Sequence, residues 1–187
     1  MQPPKRLYHS AVEDTDEVED REKYRPGGYH PIHFDDYIDP KKRFKVIHKL
    51  GWTLTATQWL CHDRVSRYHR AVKVLTADQS VEGCPEFQAF KLLRGIDRKE
   101  LEENCISIPH DYFWIDGPNG HHLCFVSDVL GPNLFMNTPD GQGVHTPEYL
   151  INLNFQVSKG LQYLHGKGIC HGGEIQMFRH KDEDADG

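Results

Sequence analysis

Residues 155–171 read Phe155-Gln-Val-Ser-Lys-Gly-Leu-Gln-Tyr-Leu-His-Gly-Lys-Gly-Ile-Cys-His171, and the reading of this stretch decides the fold. It continues an apolar period that starts further upstream. Leu150, Leu153, Val157, Leu161 and Leu164 fall on one helical stripe. Thr146 is suited to the N-cap and Pro147 to the first helical position. Gly166 or Gly168 can end the helix. The stretch is therefore a long helix that runs out through Ile169-Cys170-His171 into a polar tail without a period.

Upstream of this helix the pattern changes from helical to extended. Phe44–Leu50, Thr57–Cys61 and Arg70–Leu75 are rich in β-branched and apolar residues, and a polar turn at Asp63–Tyr68 separates the last two. Pro85 opens a short helix in which Glu86, Ala89, Phe90 and Leu93 fall at i, i+3, i+4 and i+7. That spacing puts a carboxylate beside the apolar stripe. His110–Ile115 and Leu123–Ser127 read as strands joined by Asp-Gly-Pro-Asn-Gly, a hairpin turn. Strands cluster before the long helix, so the fold class is α+β rather than alternating βαβ units.

The segments between these elements carry the most specific signals. Gly160-Leu-Gln-Tyr-Leu-His165 followed by Ile169-Cys-His171 resembles the approach to the catalytic loop of a eukaryotic protein kinase. His122-Leu-Cys-Phe-Val-Ser-Asp-Val-Leu-Gly131 is similar to the fifth strand and hinge of that fold, closest to the SR-protein kinase family. Tyr24-Arg-Pro-Gly-Gly-Tyr-His-Pro31 resembles the segment that precedes the domain in the same family. Lys49-Leu-Gly-Trp-Thr-Leu-Thr-Ala-Thr-Gln-Trp-Leu-Cys61 looks like its glycine-rich loop, and Ala71-Val-Lys73 matches the Ala-x-Lys of its third strand.

The resemblance implies a small lobe of five antiparallel strands plus one helix, over residues 24–130 with an N-terminal extension and hinge. Residues 131–172 would begin a truncated large lobe, residues 1–23 a disordered acidic leader, and residues 173–187 a divergent tail. It implies that Lys73 meets the α/β-phosphates of ATP and a helix glutamate. Glu86 is the candidate glutamate, and an alternative register puts Ala89 there. Leu50, Gly51 and Ala71 would line the nucleotide site, with Ser127 as gatekeeper and the backbones of Asp128 and Leu130 on the adenine edge.

Three departures accompany the match. Thr53 and Ala56 stand at the second and third glycine positions, and Gln58 replaces the valine that would cover adenine. Gly173 stands where the catalytic aspartate should be, and no Asp-Phe-Gly follows. Mg²⁺ is expected for the complete family domain, but its ligands are missing; Asp182, Glu183, Asp184 and Asp186 read as a solvated acidic run. These 187 residues are therefore expected to be inactive alone. A shortened product and a gene model that missed a splice junction both fit the break at Gly173. A pseudokinase-like module that binds nucleotide or protein fits as well.

Composition sets the remaining expectations. Apolar residues are 37% and charged residues 27%, and the net charge of −6 gives no reason to expect a nucleic-acid surface. The acid is uneven: Glu13–Glu22 holds seven carboxylates against one arginine. Five scattered cysteines without a C-x-x-C pair suggest reduced thiols and a cytoplasmic or nuclear protein. Cys61 and Cys170 lie in apolar runs and are expected to be buried. His30, His33, His121 and His122 lack zinc-site spacing and read as structural. The implied partners are ATP and a protein substrate, Ser/Arg-rich splicing factors among the options, with no membrane.

Overall fold

The computed structural model describes residues 19–131 and 146–170. Residues 1–18 of the leader, the connector 132–145, His171, Gly173 and the acidic tail lie outside the described residues.

Five strands form one antiparallel sheet: β1 (Phe44–Thr53), β2 (Ala56–Asp63), β3 (His69–Leu75), β4 (Asp111–Gly117) and β5 (Gly120–Ser127). Their spatial order is β1-β2-β3-β5-β4. Side-chain alternation splits them between two faces. Phe44, Val46, Trp59, Cys61, Val72, Val74, Cys124 and Val126 fill one core. Ala56, Leu75, Leu123 and Phe125 point the other way and meet Phe87 and Phe90 of helix α1 (Pro85–Leu93). β5 is flanked on both sides, so Leu123–Val126 is buried without interruption.

Helix α1 starts as the sequence suggests, with Pro85 in its first turn. Its buried face runs through Phe87, Phe90 and Leu93, so Phe87 takes the position in the stripe expected for Ala89. The two phenylalanines stack near Tyr112 and Phe125, and burial of these rings outweighs that of a methyl group. A second helix, α2 (Arg98–Glu103), lies between α1 and β4 and has no counterpart in the sequence reading. Its six residues are too few to show a period. The Asp97 carboxylate caps it by accepting from Lys99 N–H and Glu100 N–H.

The long helix α3 (Pro147–Gly166) is capped by Thr146 as expected. It ends in a Schellman turn. Gly168 has φ +74°, its N–H donates to His165 O, and Ile169 N–H donates to Leu164 O. The predicted stripe is only partly covered: Leu164 is buried, Leu153, Val157 and Leu161 are half-buried, and Leu150 is exposed. Gly160 lets the helix approach closely, since a Cβ there would sit 3.3 Å from Ile106 Cδ1. Tyr163 Oη donates to Glu100 of α2 at 2.6 Å, which fixes the azimuth of α3. Cys61 is buried, with its thiol pushed up to about 12 by desolvation, but Cys170 is exposed. After the Schellman turn Ile169 turns inward and its neighbour outward, which corrects the expectation for Cys170.

The segment ahead of β1 is ordered by packing, and it begins earlier than expected. Residues 19–23 fall within the leader expected over residues 1–23. They form a 3-10 turn (Arg21–Lys23) capped by Asp20, and Glu19 pairs with Lys49 and accepts from Tyr24 Oη at 2.6 Å. Gly27 has φ +86°, and a Cβ on Gly28 would meet Lys23 O at 1.8 Å, so this doublet needs glycine on both counts. Tyr29 is fully buried, and its hydroxyl donates to Thr53 O at 2.6 Å. Asp36 and Ile38 then hydrogen-bond to the free edge of β1, which protects it from further pairing.

A histidine pair seals the junction between this extension and the β4–β5 hairpin. His122 is fully buried, and its Nδ1–H donates to Leu75 O at 2.9 Å. The His30 ring packs edge-on against it at 4.9 Å, and His30 Nδ1 and His122 Nε2 have no hydrogen-bond partner among the described residues. Desolvation lowers both, and His30 falls to about 4. The unfolded chain binds a proton near the ordinary value of about 6.5 while the fold resists it. Stability therefore falls as the pH drops from about 6.5 to about 4, the window set by His30. Melting temperatures across that window should decline in the wild type and decline less in His30→Phe, which keeps a ring without a titrating nitrogen.

Candidate functional site

The site lies on the sheet face shared with α1. Lys73 is opposite Gln58 on β2 and Phe125 on β5, so it projects on the side of Phe87 and Phe90. Ala71 is opposite Leu60 and Ser127 on the same face. Two residues along β3 thus offer a small side chain and then a long cation. Glu86 sits in the first turn of α1, where the helix dipole favours a carboxylate. Lys73 Nζ donates to both Glu86 oxygens at 2.9 Å. The pair is partly open, with side-chain exposures of 22% and 42%, so the ammonium is held in place but remains within reach of solvent. Ala89 is half-buried on α1, and it is Glu86 that takes the hydrogen bonds of Lys73.

The β1–β2 turn stands at the end of this face. Leu50 and Gly51 lie at a bulge in β1, where the register slips between Lys49 and Gly51. Leu50 is exposed, and a Cβ on Gly51 would meet nothing within 4 Å. The backbone at Gly51 is thus open to close approach from outside. Ala56 is fully buried against Leu75 and Phe125, so the residue at the third glycine position is part of the core. The stem of the turn is tethered twice: Tyr29 Oη donates to Thr53 O, and Thr76 N–H donates to Thr55 O at 2.8 Å.

β5 delivers Ser127 to the edge of the site, followed by Asp128 and the exposed Leu130. The side chain of Asp128 has a role that the sequence reading gave only to its backbone. Its carboxylate pairs with Arg70 of β3 and accepts from His110 Nε2–H at 2.9 Å. Arg98 of α2 donates to His110 Nδ1 at 2.7 Å, which sets that tautomer. The start of the hinge is thereby bound to both β3 and α2. These partners lie 12 to 58 residues apart in sequence, and no local pattern announced them. Among the described residues no group of three or more His, Cys, Asp or Glu is placed to hold a metal ion.

A five-stranded antiparallel sheet whose third strand presents a lysine to a glutamate on the helix across it is the small lobe of a protein kinase. Comparison with known proteins narrows the class. The chain is 33% identical over 157 residues to protein kinase dsk1 of Schizosaccharomyces pombe, covering 82% of this chain and 29% of that one. It is 34% identical over 168 residues to human SRSF protein kinase 3, covering 88% and 29%. It is 33% identical over 171 residues to serine/threonine-protein kinase SKY1 of Saccharomyces cerevisiae, covering 87% and 22%. No family model matches. A crystal structure of a kinase domain aligns at a TM-score of 0.49 and 19% identity, over 73% of this chain and 38% of that one. The chain belongs to the SR-protein kinase family. It spans less than a third of the length of these relatives.

Proposed function

We propose that this chain is the ATP-binding part of a serine/threonine protein kinase, and that residues 1–187 alone do not transfer the phosphoryl group. The observation that carries the reading is the Lys73–Glu86 pair on the face shared with Ala71 and Ser127. Glu86 holds the ammonium, Lys73 meets the α/β-phosphates, the Ala71 methyl leaves room for adenine, and the open backbone at Gly51 faces the phosphates. Asp128 and Leu130 offer backbone groups to the adenine edge.

Transfer additionally needs a residue to orient the attacking hydroxyl and a metal to offset charge on the phosphates. Gly173 has no side chain for the first task. Mg²⁺, when bound in the family's complete domain, supplies the second, and this sequence contains no Asp-Phe-Gly to hold it. The names of the relatives suggest Ser/Arg-rich protein substrates for the parent enzyme. The buried unpaired thiols of Cys61, Cys84 and Cys124 fit a reducing compartment, cytoplasm or nucleus. A second reading, a pseudokinase-like binding module, is favoured by the buried Ala56 and the tethered β1–β2 turn, which leave little of a mobile glycine loop.

Thermal melts with ATP test the proposal. A ligand at about 100 times its Kd stabilises by roughly 2.7 kcal/mol. ATP should therefore raise the melting temperature by roughly 5–10 °C. Labelled ATP should leave no phosphate on a Ser/Arg-rich peptide. An unchanged melt at millimolar ATP would reject nucleotide binding, and phosphorylation absent from a Lys73→Met control would reject the proposed inactivity.

A further inference from the structure

Remote from the glycine turn, at the end of the sheet where Phe44 faces Asp63, a groove of about 500 Å³ opens between the turn ahead of β1 and the turn after β2. Pockets for small ligands run to roughly 300–1,000 Å³, so the groove is of that size. Its walls carry six cations, Lys41, Lys42, Arg43, Lys45, Arg64 and Arg67, in a chain whose net charge is −6. Asp63 holds Arg43, with Asp111 3.7 Å from it, and Asp35 holds Lys45 at 2.8 Å, while the other four have no carboxylate partner among the described residues. Arg64 donates to Lys42 O at 3.3 Å and lies over the Tyr37 ring, contacts that leave its charge uncompensated. Both turns are held by buried carboxylates. Asp39 accepts from Arg43 N–H at 2.7 Å and Phe44 N–H at 2.8 Å, and Asp63 accepts from Val65 N–H at 2.9 Å and Ser66 Oγ–H at 2.8 Å. Arg64 N–H donates to Arg43 O at 3.0 Å, and the Arg43–Asp63 fork ties the two turns a second time. The walls are therefore fixed in advance, which lowers the ordering cost of binding. Lys42 and Arg67 have φ of +55° and +67°. Glycine would fit both positions at lower cost, yet the chain places cations there.

Four like charges at close quarters repel one another unless an anion lies among them. A phosphate monoester carries about −1.5 to −2 at pH 7, so two or three of them balance the four uncompensated cations. The rim limits how far such an anion can extend. The exposed carboxylates of Asp35, beside Lys45, and Asp111, beside Arg43, flank the cations. A long polyanion that leaves the groove past either of them meets like charge, whereas a compact one does not. We propose that this groove binds a compact, soluble anion with two or three phosphate groups. Lys42, Arg64 and Arg67 take its charge, and the Asp35 and Asp111 carboxylates turn away extended polymers.

Titration calorimetry of the full chain at low ionic strength, without metal, tests this with inositol trisphosphate, inorganic tripolyphosphate and inorganic phosphate. The tighter of the first two should bind one to one. Each added phosphate brings a charge-assisted contact worth about tenfold or more, so it should bind at least about 100-fold more tightly than inorganic phosphate. Which of the two it is tells an inositol phosphate from a linear polyphosphate. Lys42→Gln/Arg64→Gln/Arg67→Gln alters three exposed side chains and should weaken this binding at least about tenfold. Its melting temperature should stay within about 2 °C of the wild type. Asp35→Asn, which changes no cation and removes a rim carboxylate, should tighten binding about two- to fivefold. Lys73→Met, in the proposed nucleotide site, should bind as the wild type does. A loss there with none in the triple variant would assign the phosphates to that site and overturn the proposal. No binding of either polyphosphate, or equal binding by the triple variant, would overturn it too. So would tighter binding, through the same three residues, of a short single-stranded RNA or of vesicles containing phosphatidylinositol bisphosphate, which would make the groove a nucleic-acid or membrane surface.

Discussion

Arg43→Ala lowers the stability of this protein by about 3–5 kcal/mol at neutral pH, the cost of leaving a buried charge without its partner. Arg43 Nε–H donates to Asp63 Oδ1 at 2.9 Å and its terminal NH₂ to Oδ2 at 2.7 Å, a bidentate fork. The Asp63 side chain is fully buried, and Ser66 Oγ–H and Val65 N–H also donate to it. Removing the guanidinium strands that carboxylate. Asp63→Ala costs less, because Arg43 is 33% exposed and can turn to water. At about 2–4 °C per kcal/mol, Arg43→Ala should melt on the order of 10 °C lower. Arg43 and the bonds to Ser66 and Val65 hold the Asp63 carboxyl well below the usual carboxylate range. A lowered folded value means that the contribution is complete above the unfolded value of about 3.9 and is lost as pH falls through the folded one. The gap between wild type and Arg43→Ala, measured by urea unfolding, should thus narrow below about pH 4. A loss under about 1 kcal/mol at pH 7 would mean that the fork is no more than a surface pair.

Lys73→Met should separate binding from folding. The Lys73–Glu86 pair is partly exposed, and such pairs contribute about 0–1 kcal/mol, so the melt without nucleotide should barely change. Its contact with phosphate is charge-assisted, worth about 1.5–3 kcal/mol. ATP affinity should fall by roughly 10–150-fold, and at about 100 times the wild-type Kd the ATP-induced rise in melting temperature should shrink to about half or less. Gly51→Ala complements it. No atom lies within 4 Å of the added methyl, so unliganded stability should stay within about 0.5 kcal/mol while the nucleotide effect shrinks. An equal ATP response in all three proteins would remove Lys73 and Gly51 from the site.

Wherever a buried face repeats over seven or more residues, the sequence announced the element. All five strands and the two longer helices fall in this group: the helices show the 3.6-residue period, and the strands show as β-branched and apolar runs bounded by turns. Thr146 and Pro147 marked the start of α3 for the same reason: capping acts within one turn. Lys73, Ala71 and Gly51 were named from short motifs, and the sequence left Glu86 and Ala89 as alternatives. That choice depends on which side of α1 faces β3. Phe87 and Phe90 set it by filling the core, and this leaves Glu86 at the margin within 2.9 Å of Lys73.

What only the tertiary structure decided involves partners distant in the chain. Arg43 meets Asp63, Asp128 meets Arg70 and His110, and Glu100 meets Tyr163. Lys41, Lys42, Arg43, Lys45, Arg64 and Arg67 come to line one groove in the same way, because the β1–β2 pairing brings two basic turns side by side in a chain that is acidic overall. Period and capping are short-range effects and can be read along the sequence. The placement of charge in space depends on which strands pair, and that follows from how the whole chain buries its apolar faces.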